Sequence, residues 1–541
     1  MAAHIKDVFK SHWWLTVFVL FFPLFMMAVY SDFIRGSEFN ARLGWLILLG
    51  GVAYLFSAPL LQKIWLSIVL FFAISGSLDL IYAITFGGVF TSSTFEAIAL
   101  TDASEAFEFF QAYASIENVL VLAVYWLGIF YALKTVQFTA PKQTRQKVFT
   151  ALGVLMLLIA IQQVNDRGRA FDVVPGFSGV AIDYYGDHQS IELIVANRKD
   201  FYENSQFEAK PLSGKAQTYL VVIGESLGRK HMSLYGYGRE TTPRLNAVRD
   251  EMVLFSNSIS NFAQTHPSLG VNLTAADTLN KNSPYQSVSL VDVFKRAGFK
   301  VFWISNQQPL RSSTKPLASL AAEQHFISND FHGVEVSRYD GYMLPAIERA
   351  VNDSAQHKVI FVHMMGSHLQ YKNRYPASDS LFKDRENLSA YRDDISDAQL
   401  DYINAYDDSV HYSDKVVGRM IGLLQKLKGV AGLSFWSDHG EEVFDVKSFK
   451  GHGPDGVTAS MLEVPFFFWR NEHYREAFPK NDKLLLGHID SPITMEDFFH
   501  IAQCLIPVDS SVMDQSKSLC LPTYPETPRM VYGKDYDKEL K

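Results

Sequence analysis

Apolar residues fall in long unbroken runs over the front of the chain, and in short runs separated by polar turns beyond residue 215. Five stretches, about 13–30, 43–61, 64–86, 118–134 and 148–163, approach or reach the roughly 20 apolar residues needed to cross a bilayer as a helix. The first is long for the apolar region of a cleaved leader, and no small-residue cleavage site follows before Phe33, Ile34 and Arg35, so it reads as a retained anchor. The pattern predicts a five-span α-helical transmembrane domain over 1–163. Residues 164–215 are polar, with Gly and Pro early, and are expected to form a connector along the membrane surface.

Over 216–541 the period changes. Thr218–Ile223, Lys300–Ile304, Lys358–His363, Gly432–Trp436 and Pro465–Trp469 are nearly continuous apolar runs, as strands buried on both faces should be. Helical patterns lie between them at Ser289–Ala297, Tyr342–Val351 and Asp393–Leu427. This alternation predicts an α/β domain with a mostly parallel central sheet and helices on both sides.

Charge adds an orientation. Lys6 and Lys10 precede the first span, Lys63 lies between the second and third, and Lys134, Lys142, Arg145 and Lys147 lie between the fourth and fifth. Cations in short loops stay cytoplasmic, so the N-terminus is expected inside and everything after residue 164 outside. The 87–117 loop, with Asp102, Glu105, Glu108 and Glu117, fits the outer side. Asp79 falls inside the third span, where a carboxylate must face protein or water, or sit near the interface. A net charge of −8 and the absence of any basic arm argue against nucleic-acid binding. Cys504 and Cys520 are the only cysteines; a disulfide between them is left open, and a metal here must be held by oxygen and imidazole ligands.

In a parallel α/β sheet, ligands bind beyond the carboxyl ends of the strands. There the sequence places Gly-Glu-Ser at 224–226, Ser-Asn-Gln-Gln at 305–308, His-Met-Met-Gly-Ser-His at 363–368 and Ser-Asp-His-Gly-Glu-Glu at 437–442. Glu225, Asp438 and His439 offer the oxygen-plus-imidazole set a catalytic zinc needs. His363, His368 and His452 add imidazoles suited to binding an anionic phosphate and protonating a leaving oxygen. Spacing alone does not identify a nucleophile among the many Ser and Thr residues.

The run from Val221 to Leu245, Val-Val-Ile-Gly-Glu-Ser through Tyr-Gly-Tyr-Gly-Arg-Glu-Thr-Thr-Pro-Arg-Leu, resembles the signature of bacterial phosphoethanolamine transferases, a branch of the alkaline phosphatase and sulfatase superfamily. The likeness continues through 305–308, Gly-Ser-His-Leu-Gln-Tyr-Lys-Asn-Arg-Tyr-Pro at 366–376, Asn-Ala-Tyr-Asp-Asp-Ser-Val-His-Tyr-Ser-Asp at 404–414 and 437–442, and the five-span front matches too. In that family the nucleophilic threonine follows a Phe-Ser-Asn-like segment; Phe255-Ser256-Asn257 fits, and an ungapped step reaches Thr265. The resemblance implies Glu225, Thr265, Asp438 and His439 as zinc ligands for one or two ions, with His363, His368 and His452 at the phosphate or leaving group. Asn306, Gln307 and Lys372 lie in the matching motifs and are expected at the substrate. The chain departs from the lipid A branch, which places cysteines around the threonine: here Asn261-Phe262-Ala263-Gln264 precede it. The 305–308, 371–376 and 440–445 segments look more like the branch acting on the lipopolysaccharide core heptose.

The implied reaction moves phosphoethanolamine from phosphatidylethanolamine to a cell-envelope acceptor, lipopolysaccharide core or lipid A, through a covalent intermediate on Thr265. A threonine hydroxyl is a poor nucleophile at neutral pH until a metal lowers its pKa. The implied location is a bacterial inner membrane with a periplasmic catalytic domain, and a monomer is expected. A phosphoglycerol transferase of the lipoteichoic acid type and a non-catalytic membrane sensor of zinc or lipid are the competing readings. A sulfatase would need Cys or Ser before x-Pro-x-Arg, whereas Gln-Thr-His-Pro-Ser-Leu surrounds Thr265.

Overall fold

The computed structural model describes residues 12–30, 36–52, 59–90, 115–136, 151–156, 174–187, 191–278, 284–307, 314–327, 339–388 and 395–541, with a few further positions between 95 and 162. The chain divides into two compact units, one of Met1–Thr101 with Phe110–Gln189 and one of Asp102–Phe109 with Ser190–Lys541.

The first unit is helical: α1 (His12–Tyr30), α2 (Gly36–Val52), α3 (Pro59–Phe86), α4 (Ile116–Thr135) and α5 (Gly176–Asp187). Among the described residues three helices, α1, α3 and α4, are long and apolar enough to cross a membrane. That is fewer than the five expected spans. α2, at 17 residues, covers only the front of the second expected span. The fifth, 148–163, is described only in part, with Ala151–Met156 its longest continuous helical run.

Asp79 is buried here. Its carboxylate pairs with Arg42 of α2 at 2.9 Å, and the same guanidinium holds Glu38 at 2.7 Å. Two carboxylates against one cation leave a net negative charge, which the first turn of α5 offsets: Phe177 N–H donates to Asp79 (2.8 Å) and Gly176 N–H to Glu38 (3.2 Å). Pairing of this kind is how an apolar helical unit tolerates ionised groups.

The second unit starts with α6 (Ile191–Asn204) and is built on a seven-stranded sheet. Its strands are β1 (Gln217–Gly224), β2 (Met252–Phe255), β3 (Lys300–Ser305), β4 (Glu323–Phe326), β5 (His357–His363), β6 (Val430–Ser437) and β7 (Phe466–Arg470), in the order β2-β7-β6-β1-β5-β3-β4. β6, β1, β5, β3 and β4 run parallel, whereas β7 is antiparallel to both β6 and β2. The sheet is therefore mixed: the Pro465–Trp469 run, expected in the parallel set, starts its antiparallel edge.

The unbroken apolar runs follow from burial on both faces. In β1, Tyr219, Val221 and Ile223 enter one core while Leu220 and Val222 enter the other. The first core is covered by α8 (Leu290–Arg296) and the Phe498–Leu505 helix. The second is covered by α9 (Leu344–Val351) and the 28-residue α10 (Asp397–Leu424). Ser289 starts α8 and Ser396 starts α10 with reciprocal capping boxes, through Asp292 and Gln399. Cys504 and Cys520 form a disulfide with Cα atoms 5.6 Å apart.

Candidate active site

The carboxyl ends of β1 and β6 are neighbours, so Glu225 and the Asp438-His439 pair emerge side by side. The chain turns sharply after β1, with Ser226 in the left-handed region (φ 54°), and Ser226 N–H donates to Asp438 Oδ1 at 3.0 Å. The β5 loop closes against the same turn. Gly366 has φ 51°, and a Cβ there would stand 2.6 Å from the Glu225 carbonyl oxygen, so only glycine lets these backbones approach.

Thr265 opens α7 (Thr265–Asn272) and is brought to this edge by the strand Ser258–Ile259 and the loop after it. Its Oγ1 lies 3.3 and 3.4 Å from the Glu225 carboxylate oxygens and 3.4 Å from His439 Nε2. His439 Nε2 in turn lies 3.4 Å from Asp438 Oδ2 and 3.5 Å from Glu225 Oε1. Its Nδ1 faces the Gly440 carbonyl at 2.8 Å and so carries the proton, which leaves a lone pair on Nε2 directed at the cluster. Asp438 Oδ2 is buried with no hydrogen-bond partner. Burial, and Asp438 alongside, push the Glu225 carboxyl well above the usual carboxylate range. Burial pulls His439 down, against the attraction of Asp438.

Two buried carboxylates in contact, an orphaned oxygen, a directed lone pair and a hydroxyl form the donor set of a small divalent cation. Glu225, Asp438 and His439 place ligand atoms within 4.8 Å of one another. Oxygen and nitrogen donors with a position left open suit a catalytic zinc.

The further histidines occupy distinct settings. His363, the last residue of β5, is buried with neither ring nitrogen bonded, and burial drops it to about 4. His368 also has an unpartnered buried Nδ1 and is pushed well down by burial and by Arg374. His452 lies against His439, with ring centroids 4.0 Å apart, and its Nδ1 donates to Glu441 Oε2 at 2.6 Å. Burial lowers its pKa, but the Glu441 carboxylate outweighs that and raises it. Tyr371 donates to the other Glu441 oxygen at 2.7 Å, which fixes this carboxylate.

The structure uses the expected substrate residues in different ways. The Asn306 amide is buried and donates to Asp340 at 2.9 Å, and Gln307 donates to the Met364 carbonyl at 3.2 Å. Both tie strand ends together. Lys372 is exposed, on the turn Tyr371–Asn373. The serines nearest Thr265 are internal: Ser260 donates to the carbonyls of Asp438 (2.6 Å) and Phe262 (2.9 Å), and Ser268 to that of Phe262 (3.3 Å).

Three polar residues that shape the site escaped the sequence reading. Glu441 and Tyr371 hold His452, and Asp340 accepts from the N–H groups of Met365 and Gly366 as well as from Asn306. Glu441 sits two residues past His439 and could have been found there; Asp340 precedes α9 and carries no local signal.

A sulfatase-family profile matches residues 217–501. The chain is 28% identical over 485 residues to phosphoethanolamine transferase EptC of Escherichia coli, covering 85% of this chain and 82% of that one. It is 28% identical over 480 residues to phosphoethanolamine transferase CptA of Salmonella typhimurium, covering 84% and 82%. The crystal structure of the C-terminal periplasmic domain of the E. coli EptC protein, in complex with zinc, superposes with a TM-score of 0.56 at 29% identity, over 61% of this chain and 94% of that one. The integral membrane lipooligosaccharide phosphoethanolamine transferase A from Neisseria meningitidis shares the fold over 95% of this chain and 98% of its own, with a TM-score of 0.62 at 18% identity.

Proposed function

We propose, from the premise that the chain belongs to the sulfatase family, that it is a membrane-bound, zinc-dependent enzyme transferring phosphoethanolamine to a cell-envelope acceptor. The observation that carries this reading is the convergence of Thr265 Oγ1 with Glu225, Asp438 and His439 at one sheet edge, in a chain with helices apolar enough to hold it at a lipid donor. Phosphatidylethanolamine is the donor, and lipopolysaccharide core or lipid A the acceptor. The segments of closest resemblance favour the core.

Glu225, Asp438 and His439 would hold the zinc together with Thr265. Bound there, the ion would lower the pKa of the Thr265 hydroxyl so that it attacks at neutral pH. The Thr265 oxygen forms a bond to the donor phosphorus, and the bond from phosphorus to the diacylglycerol oxygen breaks. His452, held by Glu441, supplies the proton that the leaving alkoxide takes up, while His363 and His368, which burial disfavours as cations, bind the phosphoryl oxygens. An acceptor hydroxyl or phosphate then attacks the same phosphorus, and the Thr265 oxygen leaves. Transfer in two half-reactions lets donor and acceptor use the site in turn. The front of the chain spans the membrane five times, including 43–61 and 148–163, with the N-terminus cytoplasmic, 164–215 as connector and 216–541 periplasmic.

Incubation with phosphatidylethanolamine and no acceptor, followed by peptide mass spectrometry, should find phosphoethanolamine on Thr265. Thr265→Ala should form no adduct and lose many orders of magnitude in turnover. An adduct on Ser260 or Ser268 would overturn the assignment.

A further inference from the structure

The strands Met530–Val531 and Lys534–Asp535 form a hairpin whose two turn residues are Tyr532 and Gly533. Both have positive φ, 49° and 82°. Two-residue turns of this hand favour Asn-Gly, because a short polar side chain tolerates the left-handed region and a bulky one does not. Tyr532 is thus a costly choice for the turn itself, and such residues persist only where the surroundings hold them.

The surroundings in question are the loop that carries Thr265. The Tyr532 hydroxyl accepts a hydrogen bond from Ala263 N–H at 3.0 Å, and its ring meets Phe262 edge-on at 5.8 Å. Ala263 lies two residues before Thr265. The hairpin is anchored independently of this contact. Arg529 donates to the Asn257 carbonyl and side-chain oxygens, each at 3.0 Å, and pairs with Asp537. Tyr536 donates to Glu463 at 2.6 Å and packs with Ile259, Ala263 and Leu462. The 257–265 segment is gripped at its start by Arg529 and near its end by Tyr532.

We infer that Tyr532 is a positioning residue, clamping the 261–264 loop so that the Thr265 hydroxyl stays in register with Glu225 and His439. This rests on the reading of Thr265 as the nucleophile. The Ala263 N–H is where the clamp acts: a hydroxyl acceptor on an anchored hairpin holds the N–H edge of the Phe262–Ala263 peptide, whose carbonyl edge accepts from Ser260 and Ser268.

The test compares Tyr532→Phe, which removes only the hydroxyl, with Tyr532→Asn, which suits the turn better but cannot reach Ala263, both in the full-length protein. For Tyr532→Phe, kcat with phosphatidylethanolamine should fall by roughly ten- to a hundredfold, the cost of a misplaced reacting group, with KM within about twofold. Zinc content and thermal midpoint should match wild type, and amide exchange in the peptide spanning 261–270 should quicken. Tyr532→Asn should show the same fall in kcat with an unchanged or higher midpoint, which a residue needed only for folding would not give. Wild-type kcat and wild-type exchange in both variants would overturn the clamp, and so would a loss of kcat that merely tracks lost zinc or a lower midpoint. The exchange measurement does not depend on which residue is the nucleophile. Full turnover by Thr265→Ala would sink the nucleophile assignment without altering it.

Discussion

Asp438 spends one carboxylate oxygen on the N–H groups of Ser226 and His439 and leaves the other bare beside Glu225. Without a cation this pairing is repulsive, since burial and proximity both disfavour two ionised carboxylates. Asp438→Asn keeps the first oxygen and replaces the second with a donor. We expect it to lower zinc occupancy, to reduce transfer by at least about a thousandfold, and to raise the thermal midpoint of the metal-free protein by a few degrees. Metal titration, a turnover assay and calorimetry of chelated samples check the three parts; a midpoint lowered in the metal-free state would contradict the charge argument. At this scale Glu225, Asp438 and His439 were legible because each directly follows an apolar strand, where a parallel sheet presents its ligands. Glu441 was not singled out. Its role depends on His452, which lies 11 residues further on and meets it only through the hairpin of Glu442–Val443 with Lys450–Gly451.

Three elements are joined behind the site by one buried ionic cluster. Asp407 of α10 accepts from His231 (2.8 Å), Tyr237 (2.9 Å) and Arg239 (2.7 Å) of the segment after Glu225. His231 also faces Asp445, at 3.4 Å, in the hairpin that leads to His452. Burial pulls the His231 imidazole down, but Asp445 and Asp407 outweigh it and raise it to about 10. A group whose folded pKa is raised contributes stability that is whole below its unfolded value, about 6.5, and lost as pH rises through the folded value. The thermal midpoint should therefore fall between pH 7 and 10 more steeply in wild type than in His231→Gln, by a few degrees; parallel curves would remove His231 from the account. The sequence made the strands and long helices legible through their apolar periods, yet it missed β2 and β4. β4, Glu-Gln-His-Phe, is polar because it is an edge strand and only partly buried. β2 is four residues long, and with β7 it gives the sheet an antiparallel edge that no local period encodes.

At the scale of the whole molecule, the division into a helical unit and an α/β unit sets what must be tested. Cations in the short loops of the first unit predict an inside N-terminus. Reporter fusions should place residues 135–146 in the cytoplasm and those from 170 onward outside. A cytoplasmic reading after residue 170 would separate the catalytic domain from its acceptor and defeat the proposed transfer.

Length and polarity of the apolar runs determined, from the sequence alone, that a helical membrane segment precedes an α/β domain, because these properties are set by local burial. The strand-end motifs likewise placed Glu225, Asp438 and His439 at one edge, since parallel strands put all their carboxyl ends on one side. The tertiary structure decided the rest. Thr265 is 40 residues from Glu225 and 174 from His439, and only the packing of the 257–265 segment brings its hydroxyl within hydrogen-bonding range of both. Arg42 is 37 residues from Asp79, and only the packing of α2 against α3 and α5 turns an isolated carboxylate in an apolar helix into a paired one. Contacts of this kind depend on the order and direction of elements in space, and hydrophobic period carries no record of either.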